Sequence, residues 1–302
     1  CRMGDIIYGH RPDVIFATFP PVETLMLGMD AAKKYNMPLV IDFRDGMAFE
    51  SLEKENIFSS WRWKNLEKKL VDSSDYIISA TDPITEYFEK NYPGCHAKTI
   101  TNGFDPEEWK DLKNIDLAEK INIVYTGRLS KSRSVGSVGA LPLAIKLLEK
   151  KYQKRLCLHM VGDFTERERE GIANNLPCEV VRFTDLVARR EALRYQKSAD
   201  LLLLVAPPEA RSVATGKIFE YLAASKPILA LTEGTVAEDI IKKTGTGICI
   251  NPSDTEKIGL FLKKFIEQYP KCDFYKPITE EINKFSRLRL AEELAKIFDA
   301  LH

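Results

Sequence analysis

Short apolar runs alternate along the chain with stretches in which apolar residues fall at helical spacing. In the first part Asp13–Ala17, Pro38–Phe43, Tyr76–Ala80 and Ala97–Thr101 read as strands, and Val22–Tyr35, Ile57–Asp72 and Pro83–Asn91 as helices. The pattern then breaks over the polar stretch Asp105–Lys120, which reads as a linker with a short helical turn. It restarts with Ile121–Tyr125, Leu156–Val161, Glu179–Phe183, Leu201–Val205, Pro227–Leu231 and Gly247–Ile250, each followed by a helical pattern. Strand–helix–strand repetition requires crossover connections and therefore parallel sheets. The expected architecture is α/β, with two Rossmann-like doubly wound domains over residues 1–115 and 116–280. A closing helix over 281–302 follows, in which Ile282, Phe285, Leu290, Leu294, Ile297, Phe298 and Leu301 recur, free to pack back on the first domain.

In parallel sheets of this kind the binding loops leave the carboxyl ends of the strands, where a cleft between two such domains can form. The most informative loop is Thr215-Gly216-Lys217-Ile218-Phe219-Glu220-Tyr221, between two buried strand patterns. A helix starting near Gly216 would present unpaired N–H groups and a positive dipole end to a diphosphate. Lys217 and Glu220 share a helix face, a cation for phosphate beside a carboxylate that can accept from the vicinal hydroxyls of a ribose. A glycine before a helix and a Lys/Glu pair on it also occur in ordinary α/β proteins. The Gly-Lys pair is not a phosphate-binding Walker loop, since no glycine stands five residues before Gly216 and Ile218 takes the place of the Mg-binding hydroxyl.

Other loops add to this. Thr126-Gly127-Arg128-Leu129-Ser130-Lys131 follows the opening strand of the second domain, with a glycine for close backbone approach and cations for phosphate; a solvated basic loop is the plainer reading. Val161-Gly162-Asp163 reads as a tight turn beside it, and Phe183-Thr184-Asp185-Leu186-Val187 as a loop whose main chain could meet a base. In the first domain Asp42-Phe43-Arg44-Asp45 gathers two carboxylates and a guanidinium at a strand end, which is either a site or an Asp–Arg pair with a helix cap. Thr101-Asn102-Gly103-Phe104-Asp105 is a turn after that domain's last strand.

Composition narrows the classes. Lys+Arg and Asp+Glu are 44 each in 302 residues, so no field draws nucleic acid. The six cysteines form no CxxC pair and the four histidines are scattered, which speaks for a reducing compartment and against zinc. No apolar run reaches a bilayer span and no signal-peptide pattern opens the chain, which points to the cytoplasm. The opening Cys1-Arg2-Met3-Gly4-Asp5 has no initiator Met and no leading helix cap, and reads as a chain whose beginning is absent. Trp61-Arg62-Trp63-Lys64 with Lys68 and Lys69 is either a pair of core tryptophans with solvated cations, the favoured reading, or a face for peripheral contact with the inner surface of a membrane.

Taken in order, Pro12-Asp13-Val14-Ile15, Asp42-Phe43-Arg44-Asp45, Thr101-Asn102-Gly103-Phe104-Asp105, Tyr125-Thr126-Gly127-Arg128-Leu129, Lys217-Ile218-Phe219-Glu220-Tyr221-Leu222-Ala223, Lys226-Pro227-Ile228-Leu229 and Phe285-Ser286-Arg287 resemble the family-4 retaining glycosyltransferases of GT-B fold (group 1). The resemblance implies a second domain that binds a nucleotide-diphosphate sugar, without cofactor or metal, and a first domain that presents a glycan or lipid-linked acceptor in cell-envelope or exopolysaccharide synthesis. It implies donor contacts from Gly127, Arg128, Lys131, Thr215, Gly216, Lys217 and Glu220, catalytic roles for Arg128, Lys131 and Asp45, and acceptor-side places for Asp42, Arg44 and Asp45. Two departures stand out. Ser212 occupies the position, eight before Glu220, where the family carries a first glutamate, with Glu209 and Arg211 nearby; and the family's first strand and its glycine loop would precede Cys1. These departures keep a second reading open, a non-catalytic nucleotide-sugar-binding fragment or a subunit of a split transferase. An epimerase of the same architecture is a third, for which no carboxylate and histidine partners can be named.

Overall fold

The computed structural model describes residues 3–49, 57–129, 136–174, 176–206 and 211–301, with backbone alone for 3–6, 57–60 and 136–139. Two compact units account for the chain. The first holds the residues through Asn102, Ser212–Ala214 and the residues from Arg287; the second holds Gly103–Arg211 and Thr215–Ser286.

In chain order the first unit begins α1 (Met3–His10), β1 (Ile15–Phe19), α2 (Val22–Tyr35), β2 (Leu39–Phe43), α3 (Ile57–Asp72), β3 (Tyr76–Ser79), α4 (Asp82–Asn91) and β4 (Ala97–Thr99). A 3₁₀ turn, Pro106–Trp109, opens the second, followed by β5 (Ile121–Thr126), α5 (Gly136–Leu147), α6 (Lys150–Gln153), β6 (Leu156–Val161), α7 (Glu166–Ala173), β7 (Val181–Thr184) and α8 (Arg189–Ser198). It continues with β8 (Leu201–Val205), α9 (Gly216–Ala224), β9 (Ile228–Leu231), α10 (Val236–Thr244), β10 (Gly247–Ile250), α11 (Thr255–Gln268) and α12 (Thr279–Asn283); α13 (Arg287–Leu301) closes the chain. Among the described residues the first sheet has the order β1-β2-β3-β4 and the second β10-β9-β8-β5-β6-β7, all neighbours parallel.

Strand alternation explains how each unit buries two faces. In β2, Leu39, Ile41 and Phe43 enter a cluster with Leu25, Ile77, Ile84 and Phe88 under α2 and α4. Val40, from the opposite face, meets Ile78, Ile100 and Ile297 of α13. Lys98 and Glu293 pair across β4 and α13, and two lysines, Lys296 of the same helix turn and Lys98, hold the Glu293 carboxyl down to about 2. In β5, Ile121, Ile123 and Tyr125 face the large cluster under α5 and α11, whereas Asn122, Val124 and Thr126 face the other way.

Several sequence expectations shift. A helix, α1, precedes the first strand, and β1 runs Ile15–Phe19 rather than Asp13–Ala17, because its ladder starts with the Ile15 N–H donated to Pro38 O and ends at Phe19 beside Phe43. The closing pattern is two helices, α12 and α13, broken at Phe285-Ser286, where Phe104 N–H donates to Phe285 O. The polar stretch after Asp105 is fastened to the second unit: Arg194 donates to Lys113 O, Lys197 to Leu112 O, and Ile115 N–H to the Ser198 hydroxyl. The units therefore divide at Asn102–Gly103, ahead of the expected linker. The tryptophan pair splits as well: Trp63 packs on the first core while Trp61 is 68% exposed. Among the described residues no helix is long and apolar enough to cross a membrane.

Candidate functional site

The order β10-β9-β8-β5-β6-β7 reverses direction between β5 and β8, and in doubly wound sheets the ligand crevice opens at that reversal, outside the strands' carboxyl ends. The register shows the opening. β5 pairs with β6 along its whole length, Ile121↔Leu156 to Thr126↔Val161, but with β8 only at Ile123↔Leu201 and Val124↔Leu202. Alternate amides of β5 point to opposite neighbours: Ile121 and Gly127 donate toward β6, to Arg155 O and Val161 O, so the Thr126 N–H faces β8, which has already diverged. The hydroxyl of Tyr221, on α9 and fully buried, fills the gap. It accepts from Thr126 N–H at 3.3 Å and donates to Leu203 O at 3.2 Å. Burial raises its pKa, so it remains a donor at neutral pH.

The turn after β5 is built on glycine. Gly127 has φ +105°, and a Cβ there would sit 2.6 Å from Lys217 Cε; Gly162, after β6, has φ +147°, and its Cβ would lie 2.1 Å from Gly127 O. The two turns thus nest against each other and admit Lys217 over them. Its Nζ donates to the Tyr125 hydroxyl at 2.6 Å and approaches Arg128 O at 3.4 Å, 4.2 Å from the centroid of the Tyr125 ring. Tyr125 in turn donates to Arg128 O at 2.8 Å.

One helical turn along α9, Glu220 is tied into a second network. Gln196 of α8, wholly buried, donates from Nε2 to Glu220 Oε2 at 2.9 Å and to Thr126 Oγ1 at 2.9 Å. Arg189, at the start of α8, donates from Nη1 to Glu220 Oε1 at 2.7 Å, while its Nε and Nη2 grip both oxygens of Glu108 at 2.6 and 2.8 Å. The Glu220 side chain stays 20% exposed. Gly127, the Arg128 backbone, Lys217 and Glu220 therefore gather at the carboxyl end of β5. The guanidinium of Arg128 turns instead to Asp163, at 3.1 Å, in an exposed pair. α9 begins at Gly216, as the sequence suggested, with Thr215 at its N-cap in extended conformation; the Thr215 hydroxyl is buried and makes no hydrogen bond among the described residues. Ser212 is buried at 2% exposure. Lys131 and Glu209 lie outside the described residues. Among the described residues no group of His, Cys, Asp or Glu side chains is placed to hold a metal, and Cys95, Cys157, Cys178, Cys249 and Cys272 are thiols.

In the first unit Arg44 ties the end of β2 to the segment that follows β4. Its Nη1 donates to Asp42 Oδ1 at 3.1 Å and Ile100 O at 2.8 Å, and its Nη2 to Asn102 Oδ1 at 2.9 Å. Asp42 is buried, which raises its pKa against the opposing pull of Arg44 and of the Thr18 hydroxyl. Asp42 and Arg44 are thus committed to each other, as the Asp–Arg reading of the sequence had it, while Asp45 stands half-buried beside them.

Gln196, Arg189, Tyr125 and Tyr221 were not singled out from the sequence. Gln196 left one trace, a polar residue three positions after buried Leu193 on the inward face of α8. Arg189 left none, since its partners Glu108 and Glu220 are remote in sequence.

Residues 120–267 match the family model described as "Glycosyl transferases group 1". No protein of curated function matches the sequence. Among solved structures the chain is similar to Anabaena HepE in complex with UDP, at 16% identity and TM-score 0.72, covering 98% of this chain and 81% of that one. It is also similar to sucrose-phosphate synthase from Thermosynechococcus elongatus (14% identity, TM-score 0.71, 99% and 76% covered). A third is the UDP-forming α,α-trehalose-phosphate synthase from Burkholderia xenovorans in complex with glucose-6-phosphate (11%, 0.68, 98% and 76%). Identities this low speak for the fold, which is the GT-B fold; the family match makes residues 120–267, β5 to α11, a glycosyl transferase group 1 domain.

Proposed function

We propose that this chain moves a sugar from a uridine-diphosphate sugar to a glycan or lipid-linked acceptor, with retention of anomeric configuration, in cell-envelope or exopolysaccharide synthesis in the cytoplasm. One observation carries the donor half of this reading: the Lys217 ammonium and the Glu220 carboxylate lie a turn apart on α9, over the Gly127 turn where the sheet order reverses. A diphosphate suits the ammonium, the Gly216 helix start and the Thr215 hydroxyl; ribose hydroxyls suit the lone pairs Glu220 keeps after its two hydrogen bonds. The uracil base is taken from the UDP complex of the Anabaena neighbour, and the acceptor class from the family resemblance.

Cations that meet charge only as the diphosphate leaves lower the barrier directly, on the order of a hundredfold or more for one such donor. Lys217 is held near Arg128 O in advance, so little reorganisation is needed when that charge develops. Arg128, 65% exposed, can leave Asp163 for the diphosphate at small cost, because exposed pairs are worth about 0–1 kcal/mol. Lys131 is assigned to the same phosphates. Retention follows if the acceptor attacks on the face the diphosphate leaves, a donor phosphate oxygen taking the acceptor's proton, so that no protein nucleophile is needed. Asp45, with the fixed Asp42–Arg44 pair, is assigned to the acceptor side in the first unit, and exposed Trp61 beside Arg62 to contact with an anionic membrane surface.

Thermal-shift titration with UDP, GDP and ADP tests the donor half. UDP should stabilise the chain, and the shift should shrink in Glu220→Ala and in Arg128→Ala. No shift from any of the three in a folded sample overturns the reading. UDP release from UDP-sugars then separates turnover from binding alone, the alternative that Ser212 in place of the family's first glutamate favours.

A further inference from the structure

We propose that Arg189 is a positioning residue for Glu220, aimed by Glu108, and that through Glu220 it sets the preference for a ribonucleotide over one lacking the ribose hydroxyls. The inference rests on the reading of Glu220 as the ribose acceptor and adds the residues that orient it.

The torsion at the end of a glutamate side chain is broad, so a carboxylate one-fifth exposed on a helix surface has no fixed plane of its own. Two hydrogen bonds from different directions fix it. Gln196 holds Oε2, and it is itself immobile: fully buried, with the same Nε2 donating to Thr126 Oγ1 on β5. One such bond leaves the carboxylate free to swing about the Gln196 Nε2···Oε2 contact; the bond from Arg189 Nη1 to Oε1 removes that freedom. Each oxygen then keeps a lone pair in a defined direction, which is what recognition of two vicinal hydroxyls requires.

Arg189 could not do this unaided, because its side chain is 51% exposed and long. The fork of its guanidinium is matched by Glu108: Nε to Oε1 at 2.6 Å and Nη2 to Oε2 at 2.8 Å. A bidentate pair fixes the guanidinium plane, and the remaining Nη1 points to Glu220. Glu108 also balances the charge of Arg189, so that the cluster of two carboxylates and one guanidinium stays net negative. Glu108 belongs to the 3₁₀ turn Pro106–Trp109, which Asp105 caps by accepting from Glu107 N–H at 2.9 Å. The turn, α8 and α9 are thereby joined through one guanidinium.

A lysine at 189 would keep the charge but not the fork, so geometry and charge can be separated. The experiment measures Kd for UDP and for 2′,3′-dideoxy-UDP by calorimetry on the full chain, for wild type, Glu220→Ala, Arg189→Ala, Arg189→Lys and Glu108→Gln. Wild type should prefer UDP about tenfold or more, from hydrogen bonds to a charged group. Glu220→Ala should bring the ratio near one, and each change at Arg189 or Glu108 should lower it at least threefold, with the dideoxy Kd little changed. A merely structural role would weaken both ligands alike and leave the ratio in place, which would overturn the proposal. Tighter UDP binding in Arg189→Ala would also overturn it, by making Arg189 a competitor for Glu220. A wild-type ratio near one, with UDP bound, sinks the ribose role of Glu220 and this proposal with it; a wild-type preference that survives in Arg189→Ala sinks this proposal alone. If Arg189→Ala does not fold, Arg189→Lys and Glu108→Gln carry the same outcomes.

Discussion

Replacing Tyr221 with Phe removes one oxygen at the point where the second sheet parts. The ring volume is kept, so no cavity opens and the large-to-small cost is absent. What is lost is the acceptor of the Thr126 N–H, at 3.3 Å, and a donor to Leu203 O, at 3.2 Å. Thr126 is 3% exposed and Leu203 0%, so water does not easily take the hydroxyl's place. An orphaned buried group costs about 1–3 kcal/mol, and the carbonyl has a second lone pair that softens its share. A cost of about 2 kcal/mol follows, large against a total stability of roughly 5–15 kcal/mol. A chain of two units need not unfold in one step, so native-state hydrogen exchange at the β5 amides is the proper readout. Their protection should fall about 30-fold in Tyr221→Phe, since 1.4 kcal/mol is a factor of ten. Amides of β2 in the first unit should serve as an unaffected reference. Protection of β5 within twofold of wild type would refute the claim that this hydroxyl closes the gap between β5 and β8.

Two further variants address the turn and the strand below it. Gly127→Ala places a side chain at φ +105° and within 2.6 Å of Lys217 Cε, so it should cost about 1–3 kcal/mol of stability and displace the ammonium, weakening UDP binding at least tenfold in calorimetry; UDP affinity equal to wild type would contradict the role given to that turn. His159 is buried on β6, its Nε2 bonded to Asn122 Oδ1 at 2.9 Å, and burial, then Arg182, lower its pKa from 6.5 to about 4. The unfolded chain therefore binds a proton between pH 6.5 and about 4 that the folded chain refuses, so this histidine's contribution falls as pH drops through that window and is level above and below it. Denaturation at pH 7 and 4.5 should show His159→Gln losing roughly 2 kcal/mol less than wild type over that interval; equal losses would refute it.

The parallel architecture and the start of α9 were legible because both leave local marks in the sequence. Leu201–Val205 is apolar at every position, as a strand covered on both faces must be, and Gly216 marks a helix start that the backbone follows. The expectations that shifted depended on partners distant in sequence. Asp105–Lys120 reads as a linker by composition, yet Arg194, Lys197 and Ser198 of α8 fasten it to the second unit. β1 runs to Phe19 because register with β2 carries Thr18 and Phe19 along, against Asp42 and Phe43. In the site, Lys217 and Glu220 share one helix and were found together. Their supports Gln196, Arg189, Tyr125 and Glu108 come from three other segments, and no spacing rule joins them. The same limit applies to Arg128, whose partner here, Asp163, is set by the meeting of two turns.

A structure of the chain with UDP tests the central claim most directly. The account predicts the ribose 2′- and 3′-hydroxyls within hydrogen-bond distance of the Glu220 carboxylate, still held by Gln196 and Arg189, and the diphosphate over Gly127 and the start of α9 beside Lys217, with Arg128 swung from Asp163 toward it. UDP bound with its ribose away from Glu220, or its diphosphate away from the Gly127 turn, would contradict it.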